Sequence, residues 1–347
     1  MAGTSLKKIA AEAGVSVTVV SLVLNNKATE ARIAKDTQQR ILAIAKRENY
    51  VPNRLASALK SKHTKILAIV VPFTPVGFFV ELIYHIEQYA ITKGYQAMVI
   101  NTFNDEKKEQ ESLSLYRSGL FDGMFIASLN KTSSRMGVYQ AMEKASFPFV
   151  FVDRYAEGIK ADIISSDHFK ASYDMTTKMI GTGKQNILLL NRSGQAVNST
   201  AKLREDGYIA AMKDHTLEPW IQSFILTSGE SEHDTNLAEV LKSLPQKPEA
   251  IFLHSGFYMP HLIKAYGESS FRESKSEFMT VDNFSFTQDL IVQKNLLEHV
   301  VGHFLITVQD IRQIAKIACD TLLAHIEDKD GSAEHKTIHV PTYSFWG

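Results

Sequence analysis

The first 50 positions carry their apolar residues at helical spacing. In Leu6–Ala13 the residues Leu6, Ile9, Ala10 and Ala13 fall three and four apart, on one face of a helix. Gly14 interrupts that run, and Ser16 stands where a hydroxyl can cap a second helix, Val17–Leu24, which Asn25 and Asn26 end. A third helix is expected over residues 35–49, with Ile41, Leu42, Ile44 and Ala45 on its apolar face and Lys46 and Arg47 in its last turn. Three such helices can share one small core. Tyr50-Val51-Pro52 closes the segment, residues 53–59 form a short helix candidate, and the polar, basic run 60–65 reads as a linker.

From Lys65 onward the pattern changes. Short apolar runs at 66–71, 97–100, 123–127, 149–152, 187–190 and 250–253 alternate with longer amphipathic stretches. That alternation implies βαβ units and parallel sheets. Roughly 280 residues exceed what one sheet usually organises, so two α/β lobes are expected, divided near residues 163–167. The predicted architecture is a small all-α helix-turn-helix head, residues 1–52, a hinge helix and linker, 53–64, and a two-lobed α/β body with parallel sheets, 65–347.

Charge sharpens this division. The 347 residues have a formal net charge of zero, yet residues 1–64 hold 11 Lys+Arg against 4 Asp+Glu, leaving the body acidic. A compact basic segment suits phosphate binding. The single cysteine, Cys319, excludes an internal disulfide framework and a zinc site built on paired cysteines, and its apolar helical setting makes it a core thiol. The start lacks an apolar signal core and the longest apolar run is far short of a membrane span, so a cytoplasmic protein with no membrane partner is expected.

The run Ala13-Gly14-Val15-Ser16, followed by Val20-Ser21 and by Val23-Leu24-Asn25, resembles the helix-turn-helix of the lactose-repressor family of bacterial regulators. Asn49-Tyr50, Pro52-Asn53 and Ala56 resemble that family's hinge, and the body is similar to periplasmic sugar-binding proteins. The resemblance implies a homodimer that reads double-stranded operator DNA. Its groove-facing positions match Val17, Thr18 and Leu22, flanked by Ser16, Ser21 and Asn25 for phosphates; in the hinge, Asn53 and Ala56 precede Leu59, which falls on a leucine that wedges into the minor groove. Many members carry arginine at the position of Leu22; apolar Val17 and Leu22 favour thymine methyls, so A·T-rich contact positions are expected.

In the body the resemblance implies a small-molecule effector, a sugar or sugar derivative, in a cleft where strand ends of the two lobes meet. The matching positions are Phe78 and Phe79, Asp153, Asn198, Thr200 and Arg204, then Ser255, Asp282 and Gln309. Carboxylates and amides suit hydroxyl pairs, aromatic faces suit sugar C–H surfaces, and Arg204 offers a planar fork of donors.

Rival chemistry is thin. Gly181-Thr182-Gly183-Lys184 hints at a phosphate loop, but Lys178 stands where its first glycine belongs and Gln185 replaces the Ser/Thr that would bind magnesium. No nucleophile elbow or zinc-protease motif appears and the 12 histidines lack metal-ligand spacing, so no catalytic residue, metal or cofactor is expected. A transport-type binding protein is the other alternative, and the basic helical head argues against it.

Overall fold

A computed structural model describes residues 5–24, 28–50, 63–72, 77–129, 133–193, 198–225, 236–267, 276–282, 304–328 and 334–346. They divide into two compact units, Met1–Thr64 and Lys65–Gly347.

The first unit contains α1 (Leu6–Ala13), α2 (Val17–Leu24) and α3 (Lys35–Arg47). Gly14 ends α1 in the left-handed region at φ 65°, and the Val15 N–H returns to the Ala10 carbonyl at 3.1 Å. That tight turn sets α2 against α1, and the Ser16 hydroxyl accepts from the Val19 N–H at 3.3 Å as its cap. Ile9, Ala10, Ala13, Val20, Val23, Ile41, Ile44 and Ala45 form the shared core. Two expectations need correcting. The third helix stops at Arg47, because Asn49 turns left-handed (φ 48°) and the Tyr50 N–H bonds back to the Ala45 carbonyl at 2.9 Å. Leu42, one residue round from Ile41, faces solvent at 50% exposure rather than the core. The candidate helix at 53–59 lies outside the described residues.

The second unit is built on two six-stranded sheets. Its strands are β1 (Ile66–Val71), β2 (Gln96–Asn101), β3 (Gly123–Ile126), β4 (Phe149–Val152), β5 (Asp162–Ser166), β6 (Ile187–Arg192), β7 (Trp220–Phe224), β8 (Ala250–Leu253), β9 (Glu277–Val281), β10 (Phe304–Gln309), β11 (Thr337–Val340) and β12 (Thr342–Trp346). Between them run α4 (Phe78–Thr92), α5 (Glu106–Ser114), α6 (Ser133–Lys144), α7 (His168–Gly181), α8 (Ser199–Asp214), α9 (Leu237–Lys242), α10 (Met259–Gly267) and α11 (Ile311–Glu327). The first sheet has the order β11-β5-β4-β3-β1-β2, and the second β12-β10-β9-β8-β6-β7. All pairings are parallel except β10 with β12. Among the interior strands β1, β3, β4 and β8 are continuous apolar runs, as sheets covered on both faces favour.

The expected division near 163–167 marks the first of three crossings between the lobes. After β10 the chain returns: Ile314, Ala318 and Leu322 of α11 pack with Leu82 and Ile86 of α4 under the first sheet. Cys319 is buried there, and burial pushes its thiol up to about 12, so it is inert filling. β11 then joins the first sheet and β12 the second. No helix among the described residues is long and apolar enough to cross a membrane.

Candidate functional site

On α2 the inward residues Val20 and Val23 leave an opposite face free. Ser16, Val17 and Thr18 are exposed, Ser21 and Leu22 half-buried. Val17, a β-branched apolar residue, keeps 40% of its surface in water. Nothing in the small core asks for that exposure. Asn25, Asn53, Ala56 and Leu59 lie outside the described residues.

In the second unit, the carboxyl ends of the parallel strands gather most of the predicted polar residues. Asp153 follows β4 and Asp282 follows β9, and both adopt left-handed backbone, φ 62° and 75°. Non-glycine residues pay for that conformation, and aspartate pays less than most. The turn lets the Asp153 N–H take the Ile164 carbonyl at 2.9 Å while the side chain leaves the sheet edge.

These residues are joined by one hydrogen-bonded chain. The Arg204 Nε and Nη2 both lie 3.3 Å from His168 Nδ1, and His168 Nε2 lies 3.1 Å from Asp153 Oδ1. A guanidinium can only donate, so Nδ1 is the acceptor and Nε2–H donates to the carboxylate. The neutral tautomer follows, and burial followed by the Arg204 charge holds the His168 pKa below its ordinary value. Arg204 Nη1 donates to the His254 carbonyl at 2.7 Å, and Nη2 lies 3.4 Å from Asp282 Oδ2. The Gln309 amide donates to the other oxygen of Asp282. Burial works against the Asp153 charge, but the His168 hydrogen bond and the nearby arginines outweigh it and keep this carboxyl below its usual range. The chain thus couples strand ends of both sheets through one buried guanidinium.

Arg204 is placed by packing. Gly207, one turn on, lies so close to α7 that a Cβ there would sit 2.3 Å from the Phe169 carbonyl. Asn198 caps α8, accepting from the Ala201 N–H at 2.9 Å and the Thr200 hydroxyl at 2.7 Å. Asn198 and Thr200 therefore serve the helix start that presents Arg204. Ser255 holds the next turn by accepting from the Phe257 N–H at 3.4 Å. Phe79 and Phe78 stand edge to face at 5.2 Å, behind Gly77 at φ 86°, and the Arg154 guanidinium lies 5.2 Å over the Phe79 ring.

Two histidines in this cluster were not among the predicted residues: His168, the link itself, and His254. The latter's imidazole is pushed down to about 3 by burial and then by the charges of Arg204, Arg192 and Arg154. Buried polar atoms with no hydrogen-bond partner gather here as well: Arg154 Nε, His254 Nδ1 and Gln309 Oε1. Away from the cleft, Asp162 Oδ2 is clamped between His325 Nε2 at 2.6 Å and His335 Nδ1 at 3.1 Å, tying β5, α11 and the segment before β11 together.

Residues 64–255 match the family described as periplasmic binding proteins and sugar binding domain of LacI family, and residues 5–53 match the bacterial regulatory proteins, lacI family. Over 271 residues the chain is 28% identical to the HTH-type transcriptional repressor PurR of Histophilus somni (strain 2336), covering 77% of this chain and 78% of the relative. It is 33% identical to the sucrose operon repressor of Lactococcus lactis subsp. lactis over 62% of this chain and 64% of that one. Among solved structures, the lac repressor dimer bound to operator and the anti-inducer ONPF superposes with a TM-score of 0.79 at 17% identity, covering 99% of this chain and 98% of that one. The Cra transcriptional dual regulator of Pseudomonas putida, in complex with fructose 1-phosphate, gives 0.65 at 19% identity, covering 82% and 98%.

Proposed function

Because this chain belongs to the LacI family of bacterial regulatory proteins, we propose that it represses transcription as a cytoplasmic homodimer whose operator affinity is set by a small carbohydrate-type effector. The head, residues 1–52, presents the exposed face of α2 to the major groove, with Val17, Thr18 and Leu22 at base edges and Ser16, Ser21 and Asn25 at phosphates. Residues 53–64 form the hinge, in which Asn53, Ala56 and Leu59 meet the minor groove.

The body, residues 65–347, binds the effector between its lobes. The observation that carries this reading is the chain Asp153–His168–Arg204–Asp282–Gln309, which spans strand ends of both sheets beside three buried polar atoms without partners. Buried donors and acceptors left unpaired are costly, and a polyhydroxylated ligand would satisfy them. Dimerisation is supported by α4 and the adjacent edge strand β2, which leave Tyr84, Ile91 and Met98 exposed at 56%, 61% and 43%. Apolar groups exposed along one edge suit a covered surface.

The test is selection of binding sites from random duplex DNA by the full-length protein, repeated in the presence of a sugar panel. Enrichment of a two-fold symmetric site, with recovery changed by one panel member, is the expected result. Enrichment of asymmetric single half-sites, unaffected by mutation of α2, would remove it.

A further inference from the structure

At the amino ends of the strands of the first sheet, opposite the carboxyl ends that line the cleft, two imidazoles converge on one carboxylate. His325 Nε2 lies 2.6 Å and His335 Nδ1 3.1 Å from the same oxygen, Oδ2 of Asp162. One ligand atom from each of the three residues lies within 4.8 Å of the others, and the two rings stand 5.5 Å apart. The spacing of histidines along the chain gives no sign of this, because the two partners of Asp162 are 163 and 173 residues away.

Each member is held by the structure around it. Asp162 opens β5 and is 5% exposed; its other oxygen, Oδ1, accepts from the Lys336 N–H at 3.0 Å, which fixes the carboxylate and turns Oδ2 towards the histidines. Lys336 is itself tied to β5, since its carbonyl accepts from the Ile163 N–H at 2.9 Å, so the segment before β11 presents His335 beside Asp162. His325 stands in the last turn of α11, where Leu322 and Ile326 press on Gly123, the first residue of β3, so closely that a Cβ there would lie 2.9 and 3.1 Å from their methyls. His325 is 16% exposed and His335 41%, which leaves one side of the group open to water.

We propose that Asp162, His325 and His335 bind a divalent transition-metal ion of the zinc class, with water completing the coordination, and that the ion fastens the start of β11 to β5 and to the end of α11. Two imidazoles and a carboxylate are the donors such an ion prefers, whereas calcium and magnesium take oxygen ligands. Zinc holds these atoms at about 2.0–2.2 Å, which at tetrahedral angles sets neighbouring ligand atoms roughly 3.3 Å apart. Each histidine nitrogen therefore withdraws from Oδ2 by less than about 1 Å to admit the ion. The Lys336 N–H on Oδ1 is the kind of outer hydrogen bond that orients a ligating carboxylate. Without metal, the trio keeps the hydrogen bonds seen here.

The experiment uses full-length protein without a histidine tag, stripped with EDTA and dialysed free of it. It is titrated calorimetrically with zinc chloride and, separately, with magnesium chloride. One zinc ion per chain is expected and no magnesium, and the unfolding temperature should rise with zinc concentration because only the folded chain brings the three ligands together. His335→Gln is the chief variant, since a side chain so exposed can be replaced without opening the core. It should weaken zinc binding at least about tenfold, because even outer-shell partners of metal ligands contribute about 10–100-fold. His325→Gln should do the same. His85→Gln, at a histidine–carboxylate pair on α4, should leave the affinity unchanged and so measures adventitious binding by surface histidines. Cooperative thermal unfolding without metal reports that each variant is folded. Nitrogen spectra of histidine-labelled protein read the ligating atoms themselves: zinc should move His325 Nε2 and His335 Nδ1.

The absence of saturable zinc binding overturns the site. So does binding that His335→Gln and His325→Gln leave unchanged, or zinc-induced shifts confined to other histidines; in each case the trio is a hydrogen-bonded clamp and nothing more.

Discussion

At the scale of single residues, burial decides which polar groups matter. Lys170 pairs with Asp174 at 2.8 Å, but both are in water and the pair is screened, so Lys170→Ala should leave the unfolding temperature unchanged within error. His168 is the opposite case: fully buried, it donates to Asp153 and accepts from Arg204, so its removal leaves both short of a buried hydrogen bond. His168→Ala should cost about 3 kcal/mol by denaturant unfolding, and a cost near zero would show that the chain is not coupled. Acid adds a second check. His254 is neutral in the folded protein down to about 3, whereas its ordinary value is 6.5, so the unfolded chain binds the extra proton between those limits. Stability therefore falls as pH drops below 6.5, and His254→Phe should flatten that part of the profile. On α2, Leu22→Arg supplies a guanine-gripping fork, and base-by-base operator substitution should show a gain of roughly 1–3 kcal/mol for guanine at the facing position. Arg204 could be picked from its motif because the position is diagnostic and its chemistry distinctive. His168 could not: its role depends on two partners, 15 and 36 residues away, and nothing in the local pattern joins them.

Elements were legible to the degree that burial was uniform. The strands read from the sequence, such as β1, β4 and β8, are apolar throughout because helices cover both their faces. β7, at an edge and half in water, carries Gln222 and Ser223, and β5 carries Asp162, Ser165 and Ser166, so neither shows a clean apolar run. β11 and β12, also edge strands, have mixed patterns, and their pairing across the molecule is a long-range fact. The glycines at 181 and 183 fall at the carboxyl end of α7, where carbonyls rather than N–H groups are exposed, which explains physically why this run does not form a phosphate loop. At Gly207 α8 packs against α7 with no room for a side chain. Gly207→Ala should force α7 and α8 apart, destabilising the protein by about 1–3 kcal/mol and lowering effector affinity through Arg204. Where β11 docks, the His325–Asp162 pair gives a pH signature of the other sign. The Asp162 hydrogen bond raises the His325 pKa above 6.5; burial opposes the Asp162 charge, but the two histidines lower its pKa below 3.8. The pair is fully formed between about those two reference values, and its contribution is lost as pH rises through the folded value of His325 or falls through that of Asp162. Protection factors along β11, with the intrinsic base-catalysed exchange rate divided out, should fall above neutrality, and His325→Gln should remove that fall.

For the whole molecule, the three crossings constrain what a ligand can do. Ser166, Gln309 and Val340 are last residues of strands at which the chain passes between lobes, and Gln309 is also a member of the polar chain. A ligand bonded to both lobes has different contacts in each lobe arrangement, and only such a difference in affinity can shift the equilibrium between them. Operator and effector then act on one chain, and thermodynamics makes their influence mutual. Whatever factor the effector applies to operator affinity, operator DNA must apply to effector affinity, typically 5–150-fold. The expected outcome is equality of two ratios. Effector affinity is measured by calorimetry with and without a saturating operator duplex, and operator affinity by fluorescence anisotropy with and without saturating effector, at one salt concentration because phosphate contacts make the second quantity strongly salt-dependent. A duplex carrying a single half-site tests the dimer within the same experiment: two heads bound together should be coupled to the effector more strongly than one. Two ratios that differ beyond error would mean that protein concentration, through a shifting dimer equilibrium, enters the linkage, and repeating the pair of titrations above the dimer dissociation constant should bring them together.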